Sequence, residues 1–173
     1  MASPDYTLPA PSLFGRFLAN GMTHAIWAGD PLQQALYDAA AADPATDVLR
    51  SASGDAALAA AFGLQMGGCQ PVVMMQNRAL MNCLDTLRAL RFDARIPMLV
   101  TATQFGREPE NFGCDTVSSA TSAVNCVEPG LEAVGIPYEI LDRAEDLERV
   151  DACFAQARAA ACPMVLLLGH PAA

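Results

Sequence analysis

The sequence predicts an α/β fold in which a doubly wound, mostly parallel sheet of six strands carries helices on both faces. Short apolar segments alternate about six times with helical segments, which is the order of repeated strand–helix units joined by right-handed crossovers. The strand segments are continuously apolar, as in the run Pro71–Met75, and strands buried on both faces have this composition. The length of 173 residues fits one domain. We therefore expect one domain over residues 12–173, preceded by an N-terminal arm over residues 1–11.

Each element is expected from the spacing of apolar residues and from the residues that begin or end it. Strands are expected at residues 24–28, 47–50, 71–75, 97–102, 138–141 and 164–168, and helices at 12–18, 32–42, 56–66, 80–90, 129–134 and 144–160. Ser12 and Asp142 are predicted helix N-caps, and Pro31 suits the first turn of the second helix. Residues 104–125 have no apolar period, so we expect a functional or mobile loop there.

The composition excludes several classes of partner. The net charge is −9 and all ten basic residues are arginine, which argues against binding to nucleic acid or to an anionic membrane. Only 17% of the residues are charged and 53% are apolar, so we expect a partner chain to cover part of the surface. An anionic substrate is still compatible with this charge, because a few placed arginines bind an anion locally.

The cysteines and the chain ends point to a reducing compartment. None of the six cysteines has CxxC spacing, so they are expected to be small buried apolar residues rather than zinc ligands. The N-terminus has no signal-peptide pattern, and no apolar stretch is long enough to span a bilayer. We expect a cytoplasmic protein.

Common nucleotide-binding and hydrolase motifs are absent from the sequence. It contains no GxGxxG after the first strand, no GxxxxGK[ST] and no GxSxG. His24 is expected at the start of the first strand, away from a ligand. His170 follows the last strand, where a chain-terminal polar role and a substrate or interface role are both open.

Polar residues follow the first four strands, at the edge of a parallel sheet where ligands bind. The segments concerned are Gly29-Asp30, Ser51–Asp55, Gln76–Arg78 and Thr101–Gln104. Two adjacent amides, Gln76 and Asn77, end a buried strand and are hard to explain by packing alone. Met75 precedes them and is either a core residue or a contact to the ligand. Asp30 is either a substrate contact or an N-cap before Pro31.

Several segments in this order resemble segments of one enzyme family. The run PVVMMQN at residues 71–77 is similar to "P-x-x-x-MQNSGLGN", with Asn82 at the position of the last Asn. Further similar segments are the glycines at 63 and 68 before Pro71, IPML at 96–99, REPE at 107–110 and AVGIPY at 133–138. Together they cover about residues 12–170 and resemble the sulfopyruvate and phosphonopyruvate decarboxylases, which use thiamine diphosphate (ThDP).

The resemblance implies one half of a two-subunit enzyme. In this family one domain binds the aminopyrimidine ring of ThDP, and a second domain holds the diphosphate and Mg²⁺ through a Gly-Asp-Gly…Asn motif. The chain has no Gly-Asp-Gly, so it resembles the pyrimidine-binding α subunit and would need a β-type partner in a hetero-oligomer with α–α or α–β contacts. The implied cofactor contacts are Gly54, Met75, Gln76 and Asn77.

The chain departs from the family where an acid is expected. Most ThDP enzymes have a Glu after the second strand that hydrogen-bonds the pyrimidine ring and promotes loss of the C2 proton. Counting back from Gly63 without gaps places that position at Gly54, next to Asp55. Asp55 is either a shorter catalytic acid or a first-turn carboxylate that stabilises the helix dipole.

A second departure concerns the substrate side. The family's Ser-Gly-Leu-Gly is replaced by Arg78-Ala79-Leu80-Met81, so bulky residues stand where two glycines would be. Arg78 is either a clamp for a carboxylate or sulfonate, together with Asn82 as substrate contact, or an arginine on the surface or at an interface.

These observations leave three hypotheses about function. The first is the α subunit of a ThDP-dependent 2-oxo acid decarboxylase, with a carboligase subunit lacking the usual Glu as a close relative. The second is a non-catalytic or regulatory partner subunit. The third is an independent α/β domain that binds a small molecule.

Overall fold

The structure is a computed structural model that describes residues 6–169 and 171–172. Residues 1–5 of the predicted arm and His170 lie outside the described residues. The strands are β1 His24–Trp27, β2 Asp47–Arg50, β3 Pro71–Gln76, β4 Met98–Thr103, β5 Tyr138–Leu141 and β6 Pro163–Leu168. All six pair in parallel in one sheet of order β2-β1-β3-β4-β6-β5. This confirms the predicted fold, and the strand ends differ from the expectation by one residue at most.

Helices cover both faces of the sheet. They are α1 Ala10–Ala19, α2 Gln34–Ala42, α3 Gly54–Met66, α4 Asn77–Asn82, α5 Leu84–Ala89, α6 Ser122–Asn125, α7 Val127–Ala133 and α8 Arg149–Ala160. One core layer lies between the sheet and helices α1, α2 and α8. The other lies under α3, α4, α5 and α7. A sheet buried on both faces explains the continuously apolar strands.

Two predicted helix N-caps are wrong. Helix α1 begins at Ala10, before Ser12, because Pro9 is the N-cap and Pro11 sets the helical φ of the first turn. The last helical segment opens with a 3₁₀ turn at Ala144–Glu148, and the carboxylate that caps it belongs to Asp146, which accepts the backbone N–H groups of residues 142 and 143. The side chain of Asp142 instead binds Arg107.

The helix predicted at residues 80–90 is interrupted. Helix α4 starts directly after β3, at Asn77, and Cys83 leaves helical geometry with φ −101° and ψ 10° before α5 begins. A π-helical turn at Leu90–Ala94 follows and ends at Arg95, which has a left-handed φ of 55°. The break at Cys83 places its side chain beside the start of α3.

The long segment 104–125 is folded rather than irregular throughout. It contains 3₁₀ turns at Pro109–Asn111 and Thr116–Ser118, and the whole of α6. The guanidinium of Arg107 anchors it by donating to both carboxylate oxygens of Asp142 (2.6 and 3.2 Å), to Asn111 and to the carbonyl of Cys114. Gly169 leaves room for this ion pair, since a Cβ there would overlap the Asp142 carboxylate.

We predict that Arg107→Ala lowers the free energy of unfolding by about 3–5 kcal/mol, because it leaves a largely buried carboxylate without its partner. The Arg107 side chain is 1% exposed and that of Asp142 is 14% exposed. Urea denaturation measures the loss. Arg88→Ala is the matched control, since Arg88 pairs with two exposed aspartates and should cost at most about 1 kcal/mol. Equal losses for the two variants would contradict the anchoring role.

Candidate functional site

The candidate site lies where the order of strands reverses. From β1 the chain moves to β2 on one side and then to β3 on the other, so the loops after β1 and β3 diverge and leave a crevice at the carboxyl ends. A cavity of about 410 Å³ occupies this place. We call it the β1–β3 crevice, and its lining residues are Ala28, Ala52, Ser53, Gly54, Asp55, Gln76, Arg78, Ala79, Asn82 and Cys83.

Five of the eight predicted site residues meet in this crevice. Gly54 and Asp55 come from the start of α3, Gln76 from the end of β3, and Arg78 and Asn82 from α4. Two separate segments, the start of α3 and the junction of β3 with α4, therefore bring two amides, a carboxylate and a guanidinium to one cavity. Such a set of convergent polar groups is typical of a small-molecule site.

The other three predicted residues lie outside the lining of the crevice. Met75 is fully buried beneath Gly54. Asn77 is also fully buried, and its amide donates to the carbonyls of Phe105 (3.1 Å) and Ala123 (2.7 Å). It therefore holds segment 104–125 against α4.

Asp30 is held by hydrogen bonds from groups within the protein. Its carboxylate is fully buried and accepts hydrogen bonds from the backbone N–H of Leu32, the amide of Gln33 and the hydroxyl of Thr103. It also caps the 3₁₀ turn that begins at Pro31. The N-cap hydrogen bond uses Oδ1, and Oδ2 accepts from the side chains of Gln33 and Thr103, so both oxygens have partners within the chain.

Position 54 has no room for a side chain. Gly54 is buried as the first residue of α3, and a Cβ there would lie 2.6 Å from Sγ of Cys83 and 3.2 Å from the carbonyl oxygen of Ala79. Side chains essentially never approach so closely. A glutamate at this position would require Cys83 and the α4–α5 junction to move.

Asp55 is directed towards Thr86 and Cys83. It is exposed in the first turn of α3, and one of its oxygens accepts a hydrogen bond of 2.7 Å from the hydroxyl of Thr86. Ser53 is the N-cap of α3, and its hydroxyl accepts the N–H of Ala56. Asp55 is thus placed both to stabilise the helix dipole and to contact a ligand in the crevice.

Cys83 was not predicted as a site residue. Burial, followed by the nearby Asp55 carboxylate, raises the pKa of its thiol to about 12. The thiol therefore stays protonated and serves as a wall of the crevice rather than as a nucleophile. Its sequence context, an isolated cysteine inside a predicted helix, gave no sign of this position.

Arg78 stands at the mouth of the crevice. Its guanidinium carbon lies 5.2 Å above the ring centre of Phe105, a cation–π contact that fixes its direction. A stacked guanidinium keeps N–H groups free for a carboxylate or sulfonate. The role of Arg78 as an anion clamp stays a prediction.

The comparisons with known proteins agree on the fold. No family model matches the sequence, and no curated protein does. Among solved structures, the chain is similar to a thiamine diphosphate-dependent 4-hydroxybenzoylformate decarboxylase of Rhodococcus jostii, with a TM-score of 0.70 and 15% identity. That match covers 94% of this chain and 30% of the other.

Two further solved structures have the same fold. Benzoylformate decarboxylase from Polynucleobacter necessarius has a TM-score of 0.62 at 20% identity over 94% of this chain and 30% of its own. The 2-oxoglutarate:ferredoxin oxidoreductase of Magnetococcus marinus has a TM-score of 0.65 at 13% identity over 95% of this chain and 29% of its own. The chain thus spans about 30% of the length of these proteins. It shares the α/β fold of the matched part of each of these proteins.

The structure describes no metal site and no membrane span. Among residues 6–169 and 171–172, no three His, Cys, Asp or Glu side chains are grouped to hold a metal ion. No helix in the same part of the chain is long and apolar enough to cross a membrane.

We predict opposite effects for the same substitution at two glycines of α3. Gly54→Ala should destabilise the protein by about 1–3 kcal/mol, because the new methyl group overlaps Cys83. Gly63→Ala should stabilise it by about 0.5–1 kcal/mol, since a Cβ at Gly63 meets nothing within 4 Å and glycine weakens a helix. Thermal unfolding of both variants measures the difference.

The same Gly54→Ala substitution in a Cys83→Ala protein tests whether the thiol causes the loss of stability. In a Cys83→Ala protein the Gly54→Ala substitution should cost less, because the thiol is gone and the Ala79 carbonyl is the closest atom that remains. An unchanged cost would show that the cysteine does not limit position 54.

Thiol labelling is expected to divide the cysteines by exposure and pKa. Cys114 and Cys126 are exposed, which corrects the expectation of buried cysteines for these two, and should react with a disulfide reagent at pH 8. Cys83 and Cys153 are buried with their pKa raised to about 12, so they should stay unreactive. Mass spectrometry of the labelled protein distinguishes them.

The same raised pKa values give a pH dependence of stability. A thiol whose pKa is higher in the folded state contributes stability that is complete below its unfolded pKa and is lost as pH rises. The melting temperature should therefore fall as pH rises from about 9 towards 12.

Asp55→Asn should let Cys83 react at a lower pH. Rapid labelling of Cys83 at pH 8 would contradict the burial of this thiol.

Proposed function

We propose that the chain is the α subunit of a two-subunit, ThDP-dependent 2-oxo acid decarboxylase similar to the sulfopyruvate and phosphonopyruvate decarboxylases. It would bind the cofactor's aminopyrimidine ring in the β1–β3 crevice, at an interface with a β-type subunit that holds the diphosphate and Mg²⁺. The observation that carries this proposal is the convergence of Gln76, Arg78 and Asn82 with the start of α3 on one cavity of this fold.

The crevice fits an aminopyrimidine ring in size and in the type of its polar groups. Its volume of about 410 Å³ is in the range of small-molecule sites. The amides of Gln76 and Asn82 offer both donors and acceptors to a ring with nitrogen and amino groups. The cavity opens on the surface, where a second chain would complete it.

The catalytic acid of the family is the feature that this chain matches least directly. With position 54 closed by Cys83, the carboxylate that lines the crevice is Asp55. We infer that Asp55 contacts the pyrimidine ring in place of the usual Glu, held by the hydroxyl of Thr86. Bound ThDP would supply the electrophilic chemistry that releases CO₂ from a 2-oxo acid.

The residues on the substrate side of the crevice favour a substrate that carries a second anionic group. Arg78 is held by Phe105 and lines the cavity, so its guanidinium can bind a carboxylate or sulfonate at the end of the substrate remote from the 2-oxo acid. Asn82, one turn further along α4, would donate to the same group. These residues bind and orient the substrate, while exclusion of water would need the partner chain.

The closed position 54 also supports a second candidate. If Asp55 only stabilises the helix dipole, the chain is a carboligase subunit that works without the usual acid, or a non-catalytic partner subunit. The packing of Cys83 against Gly54 is the observation that favours this candidate.

Co-expression with a β-type chain that carries a Gly-Asp-Gly…Asn motif tests the proposal. The purified pair should bind ThDP with Mg²⁺ and release CO₂ from a 2-oxo acid with a second anionic group, and this chain alone should release none. Isothermal titration and a coupled CO₂ assay over a panel of 2-oxo acids measure both. A pair that forms but neither binds ThDP nor turns over any 2-oxo acid contradicts the decarboxylase proposal.

Two variants of the pair separate the candidate roles. Asp55→Ala should lower kcat by about 100-fold or more if the carboxylate acts on the cofactor, but cost only about 0.3–1 kcal/mol of stability if it serves the helix dipole. Arg78→Gln should raise KM for a dianionic substrate by about tenfold or more and leave a monoanionic one unaffected. Arg158→Gln, on α8, is the control for the loss of one arginine.

A further inference from the structure

A polar cavity lies at the edge of the sheet opposite to the β1–β3 crevice. The turn before β4 and the turn between α8 and β6 enclose a volume of about 250 Å³. Because β4 is six residues long, about 17 Å of strand separates this edge from the carboxyl edge. We call the cavity the amino-edge pocket, and it is lined by Arg91, Phe92, Arg95, Ala160 and Cys162.

Two arginines of this pocket lack an acidic partner among the described residues. The acids of the same segment, Asp85 and Asp93, pair with Arg88 instead. In the described part of the chain, the side chains of Arg91 and Arg95 make neither a hydrogen bond nor an ion pair. Two uncompensated guanidinium charges therefore line one cavity of a protein whose net charge is −9.

The guanidinium of Arg91 is held in place by packing. Its carbon lies 5.1 Å from the ring centre of Phe92. A Cβ at Gly135 would lie 3.6 Å from its Nε, so the turn before β5 packs closely against it. Burial raises the pKa of the Cys162 thiol and the charge of Arg91 lowers it, which agrees with a guanidinium beside this thiol. A side chain that is held before a ligand arrives loses less entropy on binding.

The backbone around the pocket is strained. Within the part of the chain that the structure describes, the two non-glycine residues with a left-handed φ are Arg95 (55°) and Ala161 (48°). Each directly follows a helix, where glycine is the usual residue with this conformation. A residue with a Cβ is less stable there than glycine. Arg95 thus places a cation at a position that favours glycine, and strain of this kind is typical of ligand sites.

We propose that the amino-edge pocket binds a small phosphate monoester. A planar guanidinium donates two N–H groups to the oxygens of one phosphate, and two guanidinium groups match the charge of a dianion. The ring of Phe92, which is 57% exposed, and the methyl group of Ala160 offer contacts to the organic part of the ester. The site is separate from the β1–β3 crevice and does not depend on the function proposed for it.

Phenyl phosphate is the probe for this proposal. Inorganic phosphate lacks its ring, and benzoate has the ring with a single charge. In a buffer without phosphate, the full chain alone should bind phenyl phosphate with a dissociation constant of about 2 mM or lower, and the other two at least about threefold more weakly. Isothermal titration at constant ionic strength measures the three affinities.

Four glutamine variants locate the bound anion. Arg91→Gln and Arg95→Gln should each weaken phenyl phosphate by about fivefold or more, because each removes one guanidinium from the phosphate. Arg88→Gln removes the same charge from the same segment, but its guanidinium is already paired, so the affinity should change by less than about twofold. Arg78→Gln removes the arginine of the β1–β3 crevice and should leave the affinity unchanged.

Two glycine variants separate binding from a purely structural role. Arg95→Gly and Ala161→Gly both relieve a left-handed backbone, so each should raise the melting temperature by about 1–3 °C. Arg95→Gly should also weaken phenyl phosphate by about fivefold or more, whereas Ala161→Gly should leave its affinity unchanged. The gain in stability shows that the loss of binding in Arg95→Gly is not a loss of folding.

Three results would overturn the proposal. One is a dissociation constant for phenyl phosphate above about 2 mM. Another is a loss of affinity in Arg88→Gln as large as in Arg91→Gln, which would indicate attraction by overall charge. The third is a loss in Arg78→Gln but not in the two pocket variants, which would assign the anion to the crevice. Since the assay uses neither ThDP nor a partner chain, its failure would leave the decarboxylase proposal untouched, and the reverse also holds.

Discussion

The carboxyl edge of the sheet depends on one buried carboxylate. Asp30 has no exposed surface and accepts hydrogen bonds from Leu32, Gln33 and Thr103, all of them neutral donors. Gln33 in turn donates to the carbonyl of Met75 and accepts the hydroxyl of Thr101. The network therefore ties the loop after β1 to β3 and β4. A buried polar group is stable only when it is hydrogen-bonded, so the loop has little freedom to move without breaking several bonds at once. The β1–β3 crevice is the space left beside this fixed loop.

The packing around Gly54 limits which side chains can reach the β1–β3 crevice. Gly54 and Cys83 are in contact because α4 ends at Cys83, which turns the thiol towards the start of α3. The contact closes the position at which the resemblance expects an acid. It leaves Asp55, one residue further along α3, as the carboxylate that reaches the cavity. The rotation of about 100° between neighbouring residues of a helix explains why Asp55 meets Thr86 instead of the buried space under Gly54. Any role of Asp55 in catalysis is thus tied to this displaced position.

The sequence predicted the sheet well because continuous apolar strands and the turns between them are local signals. It also predicted five crevice residues, since the ends of parallel strands meet at one edge. Predictions were wrong where the structure depends on contacts between segments that are distant in the sequence. Ser12 has a residue type typical of an N-cap, but Pro9 and Pro11 set the start of α1 before it. Asp142 also has such a residue type, but its carboxylate pairs with Arg107, which lies 35 residues away in the sequence. Nothing in the local sequence pattern indicates that Cys83 lies beside Gly54, or that the amide of Gln104 has no partner among the described residues. Gln104 stood at a predicted strand end, but only the fold shows that nothing described there pairs with its side chain.

Phe105 supports the substrate side of the β1–β3 crevice. The guanidinium carbon of Arg78 lies 5.2 Å above its ring centre. Its backbone carbonyl accepts the amide of the buried Asn77, which fixes the residue relative to α4. Because Arg78 is itself part of α4, one buried hydrogen bond holds the helix that carries the guanidinium to the residue that supports it. The direction of Arg78 therefore depends on segment 104–125 as well as on α4.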